Sequence, residues 1–171
     1  MAKTLREIRE SRRLKQYELA RKAGLNTVVL GRIERGERGP HLATFLALWR
    51  ALGGDCGTFT DLYGFFTERS DRQPIAPLRE RMVPAPPVPV PGTTLRQARE
   101  SAGLSQEALA RFLELDAGNT YWYLENSDQV PRLETFFRLW ELYGGDCAAF
   151  EWLRSVFEPR LQSGSSEEAA A

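Results

Sequence analysis

The sequence predicts an all-α protein assembled from two copies of one helical module joined by a proline-rich linker. Thr4 to Arg21 (TLREIRESRRLKQYELAR) overlays Thr94 to Arg111 (TLRQARESAGLSQEALAR) at an offset of 90, with eleven of eighteen positions identical. Pro40 to Phe59 overlays Pro131 to Phe150 at an offset of 91, with eleven of twenty identical. Self-similarity at a fixed period marks a repeated structural unit. Within each copy the apolar residues recur at helical spacing, and no stretch shows the period-two alternation of a half-buried strand. The change of offset requires a one-residue insertion between the two blocks, ahead of the aromatic run NTYWYLEN (Asn119 to Asn126).

In the first copy, Leu5, Ile8 and Leu14 give one apolar stripe. Tyr17, Leu19, Ala20 and Ala23 give a second, and Leu25, Val29, Leu30 and Ile33 a third. Gly24 stands where a helix must stop, because glycine takes the left-handed C′ conformation without a Cβ penalty. Asn26 offers a side-chain oxygen to cap the following helix. Pro40 breaks the chain again, Leu42 to Leu52 reads as a strongly apolar helix, and Asp55 caps a last helix through Phe66.

Residues 71–92 (DRQPIAPLRERMVPAPPVPVPG) hold seven of the ten prolines. Proline fixes φ and removes a backbone donor, so residues 84–91 are expected to run as a polyproline II spacer. A PxxP ligand for a recognition domain is the alternative. The domain reading is therefore 1–70, linker 71–92, second domain 93–160, and a disordered tail 161–171 (SGSSEEAAA at its end).

No run approaches the roughly 20 apolar residues of a membrane span, and the charged start MAKTLREIRE has no apolar signal region. Cys56 and Cys147 occupy the same word, GGDC, in the two copies. They are expected to be small core residues in a reducing cytoplasm, not a disulfide. His41 is the one histidine, and no His, Cys or carboxylate cluster has ligand spacing. Neither an enzyme nor a cofactor is expected.

The pattern Leu5-Arg6-x-x-Arg9, Gln16-x-x-Leu19-Ala20-x-x-Ala23-Gly24, Ile33-Glu34-Arg35-Gly36 and Pro40-x-Leu42 resembles the lambda-repressor-like (Xre) helix-turn-helix family over about residues 4–54. The resemblance implies a five-helix DNA-binding domain whose third helix, about Asn26 to Glu34, enters the major groove of double-stranded DNA. It implies that Gln16 bonds a phosphate or base edge beside Lys15 and Tyr17, and that Arg9 and Glu34 form a partly buried structural ion pair.

The residues themselves agree. Residues 1–54 carry twelve lysines and arginines against five acids, a net of +7 that the whole-chain zero conceals. A positive excess on a small helical domain is the footprint of phosphate binding. Arg32, Arg35 and Arg38 fall at the end of the third helix and in the loop after it, where the family touches phosphates. Asn26, Thr27 and Val28 open that helix and are expected to face base edges: Asn pairs with adenine, and the Thr and Val methyls pack on a thymine methyl. A place in the core is the alternative for Val28, while Val29 and Leu30 are assigned to the core.

The second copy keeps the scaffold residues Leu95, Arg99, Leu104, Gln106, Leu109, Ala110, Leu124, Glu125, Pro131 and Trp140. It replaces the basic ones: Arg12 and Arg13 by Ala102 and Gly103, Lys15 by Ser105, Lys22 by Phe112, Arg32 by Tyr123, Arg35 by Asn126 and Arg38 by Gln129. Gly24 has no counterpart at the same spacing, which predicts a rebuilt turn and a re-aimed third helix. Residues 93–171 hold seven arginines and thirteen acids, a net of −6, so DNA is repelled. Adjacent helical residues stand about 100° apart. With Tyr121 and Leu124 in the core positions of Leu30 and Ile33, Trp122 and Tyr123 point outward, and Tyr121, Trp122 and Tyr123 are the candidate partner-binding residues. A locally enlarged core is the alternative. The expected function is a cytoplasmic transcription regulator, a repressor in type. Its second domain would form a homodimer or bind a protein partner. Two DNA-binding domains acting as a single-chain pseudo-dimer, or an antitoxin or protein-interaction adaptor, are the alternatives.

Overall fold

The structure is a computed structural model that describes residues 2–68, 80, 88–115 and 118–168, with the backbone alone at 118–120 and 164–168. The chain divides into two compact units, Met1–Gln73 and Pro74–Ala171, each carrying one repeat. Each repeat is five helices, and there is no strand among the described residues.

In the first unit α1 spans Leu5–Ser11, α2 Gln16–Lys22, α3 Thr27–Glu34, α4 Leu42–Ala51 and α5 Cys56–Thr67. The short helices are held at their ends. Thr4 caps α1 in a capping box, its hydroxyl accepting from the Glu7 amide while the Glu7 carboxylate accepts from the Thr4 amide at 2.7 Å. Asn26 Oδ1 accepts from the Val28 amide at 2.8 Å at the start of α3, and Asp55 accepts from the Thr58 amide at 2.7 Å at the start of α5. Gly24 terminates α2 with φ of +65°, and the Leu25 amide closes the turn on the Ala20 carbonyl at 2.8 Å. The caps read from the sequence at Gly24, Asn26 and Asp55 are all present. Helix α2 packs on α3 and α4, and α1 packs on α3 and α5. Leu5, Leu19, Leu30, Phe45, Leu48 and Phe59 form the centre of the core, each contributing about 1.5–3 kcal/mol by leaving water. Tyr17 does not join the α2 stripe: it is 54% exposed, because its neighbours Leu19 and Ala20 fill the buried face of that helix.

In the second unit α6 spans Leu95–Ser101, α7 Gln106–Phe112, α8 Gly118–Asn126, α9 Leu133–Leu142 and α10 Cys147–Glu168. Thr94 and Gln97 repeat the capping box of α1, and Ser105 caps α7 by accepting from the Ala108 amide at 3.0 Å. Helix α8 packs on α6 and α7, and α9 on α10. Two indoles mark the common frame: Trp49 Nε1 donates to the Asp55 carbonyl at 2.9 Å and Trp140 Nε1 to the Asp146 carbonyl at 2.8 Å.

Four expectations are corrected. The turn after α7 is not rebuilt: Glu114 stands in the place of Gly24 with φ of +50°, and the Leu115 amide closes on the Ala110 carbonyl at 3.0 Å as Leu25 does on Ala20. A glutamate is forced into a glycine conformation because the backbone bonds of the turn are retained. The change of offset therefore falls at residues 116–117, outside the described residues. The tail expected to be disordered from residue 161 is helical as far as Glu168, since extending a packed helix adds a bond per residue without a new nucleus. The cysteines are not core residues: Cys56 is half-buried and Cys147 exposed, each opening the last helix of its repeat, and neither is a free thiol, which overturns the expectation of two reduced cysteines. Tyr121, offered as a partner-binding residue, is fully buried. Of the linker 71–92 only residue 80 and residues 88–92 are described, so most of the expected polyproline II stretch lies outside the described residues.

Candidate nucleic-acid interface

The first repeat presents its candidate residues along α2, α3 and the loop that follows. Lys15 and Tyr17 are exposed at the start of α2, and Asn26, Thr27 and Val28 are exposed at the start of α3. Val28 is 62% exposed, so it is a surface residue and not part of the core. Val29 is half-buried and Leu30 fully buried beneath it. Arg32, Arg35 and Arg38 stand exposed at the far end of α3 and beyond it.

These side chains start from different states. Asn26 already gives one lone pair of Oδ1 to the Val28 amide. Its Nδ2 donors and the second lone pair are what it has left for a base edge. Arg35 holds Glu37 through Nε at 2.5 Å and Nη2 at 3.0 Å, an exposed fork that holds the Glu37 carboxyl below its ordinary range. A phosphate would take over that fork, and exposed pairs of this kind are weak enough to exchange.

Gln16 is half-buried, with Nε2 donating to Glu34 Oε2 at 2.9 Å. Arg9 Nε donates to the other oxygen of Glu34 at 2.7 Å, and Arg9 Nη1 to the Leu14 carbonyl at 2.8 Å. The Arg9–Glu34 pair is thus structural, as the sequence led us to expect, and Gln16 belongs to the same network. The network locks α2 against α3 and so fixes the angle at which Thr27 and Val28 are presented. Gly31 is the residue that sequence reasoning missed. A Cβ there would lie 3.3 Å from Arg35 Nη1 and 3.5 Å from Gln16 Nε2, so both side chains pass close over α3 at this point. A glycine inside a helical pattern was the available signal.

Arg12 has a structural role that the sequence did not show. Its Nη2 donates to Asp55 Oδ2 at 3.0 Å and to Thr58 Oγ1 at 2.8 Å, tying the end of α1 to the start of α5. Its replacement by the buried Ala102 therefore removes an internal brace as well as a positive charge.

The second repeat builds the same frame under a different surface. Arg99 Nε donates to Glu125 Oε1 at 2.7 Å, Gln106 Nε2 to Glu125 Oε2 at 2.7 Å, and Arg99 Nη1 to the Leu104 carbonyl at 2.8 Å. Over this network Trp122 takes the position of Gly31 and Tyr123 that of Arg32. They are 47% and 43% exposed, with ring centroids 5.1 Å apart at 86° in an edge-to-face pair. Asn126, in the place of Arg35, is tied down by donating to the Trp122 carbonyl at 2.8 Å and accepting from Arg96 at 2.5 Å. Beneath them Tyr121 and Tyr143 are buried, and desolvation pushes both hydroxyls up so that they stay protonated.

Residues 5–59 match the family profile described as helix-turn-helix, and residues 92–153 match a second, described as helix-turn-helix domain. The chain is a tandem helix-turn-helix protein. Both repeats therefore belong to a family of DNA-binding regulators. No curated protein and no solved structure compared with the chain matches it. Among the described residues no helix is long and apolar enough to cross a membrane, and no group of His, Cys, Asp and Glu could hold a metal ion.

Proposed function

We propose that this tandem helix-turn-helix protein is a cytoplasmic transcription regulator, repressor in type, in which only the first repeat reads DNA. Thr27 and Val28 would meet base edges in the major groove, Asn26 would contribute its free donors, and Lys15, Gln16, Tyr17, Arg32, Arg35 and Arg38 would line the phosphates. The second repeat would join two chains, or one chain to another protein, through Trp122 and Tyr123. The carrying observation is the contrast at matched positions of one frame: Gly31 and Arg32 in the first repeat, the exposed pair Trp122 and Tyr123 in the second.

Mobility-shift titration of the full chain tests this. Binding to a selected duplex should weaken steeply between about 50 and about 200 mM salt, with a slope near −0.9 per phosphate neutralised. Arg38→Ala should flatten that slope by about one unit and weaken all duplexes alike. Affinity independent of salt would refute a DNA-reading role for the first repeat. The retained Arg99–Glu125–Gln106 network supports a second reading, in which both repeats grip DNA across half-sites about 34 Å apart. Trp122→Ala and Tyr123→Ala separate the two. Under the first reading they reduce the association state seen in sedimentation. Under the second they lower DNA affinity with the association state unchanged.

A further inference from the structure

We propose that the second repeat carries a binding site for a small aliphatic monocarboxylate, at the cavity between the turn after α7 and the loop before α9. The cavity measures about 400 Å³, within the range of small-molecule sites. Leu113, Leu115, Leu124, Val130 and Pro131 supply an apolar wall, and Arg138 lies on the same lining.

Two unfavourable features meet there. Arg138 is buried, yet its Nη1 has no hydrogen-bond partner, and a buried unpaired donor on a charged group is a costly state for a native fold. Its Nη2 is held by Glu114 at 2.8 Å and more loosely by Glu134 at 3.5 Å. Glu114 is itself in the left-handed region, where strain in a non-glycine residue gathers at functional positions. The first repeat has neither group: Gly24 and Ala47 occupy these places. The fold therefore does not require the pair, and the turn forms without it.

The chemistry selects the ligand. A guanidinium forks a carboxylate, and Arg138 already takes one from Glu114, so an incoming carboxylate would displace an internal one of the same kind. The lining sets two glutamates, Glu114 and Glu134, against two arginines, Arg132 and Arg138, so a dianion such as phosphate would leave it with a larger negative excess than a monocarboxylate. The apolar wall asks for a hydrocarbon body behind the carboxylate.

Isothermal titration of the full chain with sodium hexanoate tests this, with hexan-1-ol and inorganic phosphate as controls. One saturable hexanoate site is expected, with hexanol binding at least about tenfold more weakly and phosphate giving no site. Glu114→Gly restores the glycine of the first repeat and removes the internal competitor, so it should tighten hexanoate binding by about tenfold. The double variant Glu114→Gly with Arg138→Ala reproduces the Gly24 and Ala47 pair and should fold with wild-type helicity while losing the site. Hexanoate binding unchanged in that double variant would overturn the proposal. So would hexanol binding as tightly as hexanoate, a preference for phosphate, or no hexanoate binding by the Glu114→Gly protein.

Discussion

The two repeats spend the same frame on opposite surfaces, and the divergence is not confined to the reading face. At the edge of the first repeat Lys3 pairs with Asp61 at 2.9 Å, both partly exposed. At the matched positions of the second, Trp152 is fully buried against Tyr143 at 4.7 Å, and its Nε1 donates to the Thr93 carbonyl at 2.8 Å. Likewise Arg160 reaches from α10 to the Leu124 carbonyl at 2.7 Å, bracing the end of α8. At this edge the second repeat has thus exchanged a surface ion pair for buried aromatic area, with the helix-turn-helix geometry intact. The lesson is that the Arg–Glu–Gln network and the indole anchors define the module, while charge and exposed aromatics are variable attachments to it.

The contrast can be broken at its strongest point first. Removing Arg99 leaves Glu125, whose side chain is fully buried, without its ion partner, and Arg99→Ala should cost about 3–5 kcal/mol. Arg9→Ala should cost less, since the Glu34 side chain keeps 9% exposure while both glutamates keep their glutamine partner. Urea unfolding of both variants checks the order, and equal small losses would show that the network is not what holds the module.

Trp152→Ala should cost about 3–5 kcal/mol through the cavity it leaves, whereas Asp61→Ala, at the matched position, should cost no more than about 1 kcal/mol. Thermal melts followed by circular dichroism would distinguish them. Similar losses would mean that the two edges are energetically alike despite their chemistry.

On the reading face, Thr27→Ala and Val28→Ala should each lose about 1–3 kcal/mol of discrimination at one base pair and leave non-specific binding nearly unchanged. Competition mobility shifts against single-base-pair variants of the selected site measure this. Because Val28 is exposed, unfolding is not the expected outcome.

The smallest effect concerns a turn that the two repeats make with different residues. Arg13 has φ of +56° and its counterpart Gly103 has φ of +66°. Arg13→Gly should therefore stabilise the first unit by about 1 kcal/mol and Gly103→Arg destabilise the second by a similar amount. A melting-temperature shift of the wrong sign in either would show that side-chain contacts outweigh the backbone term.

That turn also shows where sequence reading stopped short. Replacement of Arg13 by glycine looked like a loss of positive charge, and the structure shows it as relief of a left-handed backbone. Replacement of Arg12 by alanine likewise read only as a lost basic residue, yet Arg12 braces α1 to Asp55 and Thr58, 43 and 46 residues away. Glu114 hid a turn that Gly24 made obvious, because a glutamate carries no local signal for positive φ. By contrast, the Gly24 stop, the Asn26 cap, the Arg9–Glu34 pair and the outward aspect of Trp122 and Tyr123 were legible. The Arg9–Glu34 pair followed from the family resemblance, and the others from spacing within a helix, from a turn chemistry with one good residue, or from comparing one repeat with the other.

The sequence by itself determined the module and its duplication. Apolar periodicity, caps and repeat identity are local or self-referential, and they constrain the helices before any tertiary contact forms. It also determined the opposed charges of the two repeats, because net charge does not depend on packing. Only the tertiary structure decided which arginines are free and which are committed, since that turns on partners distant in the chain and on angles set by buried side chains. The same dependence placed Tyr121 inside, brought Gln16 and Arg35 close over Gly31, and left Arg138 with a buried, unpaired nitrogen. Those outcomes are fixed by volume and by competition for hydrogen bonds in three dimensions, which no one-dimensional pattern records.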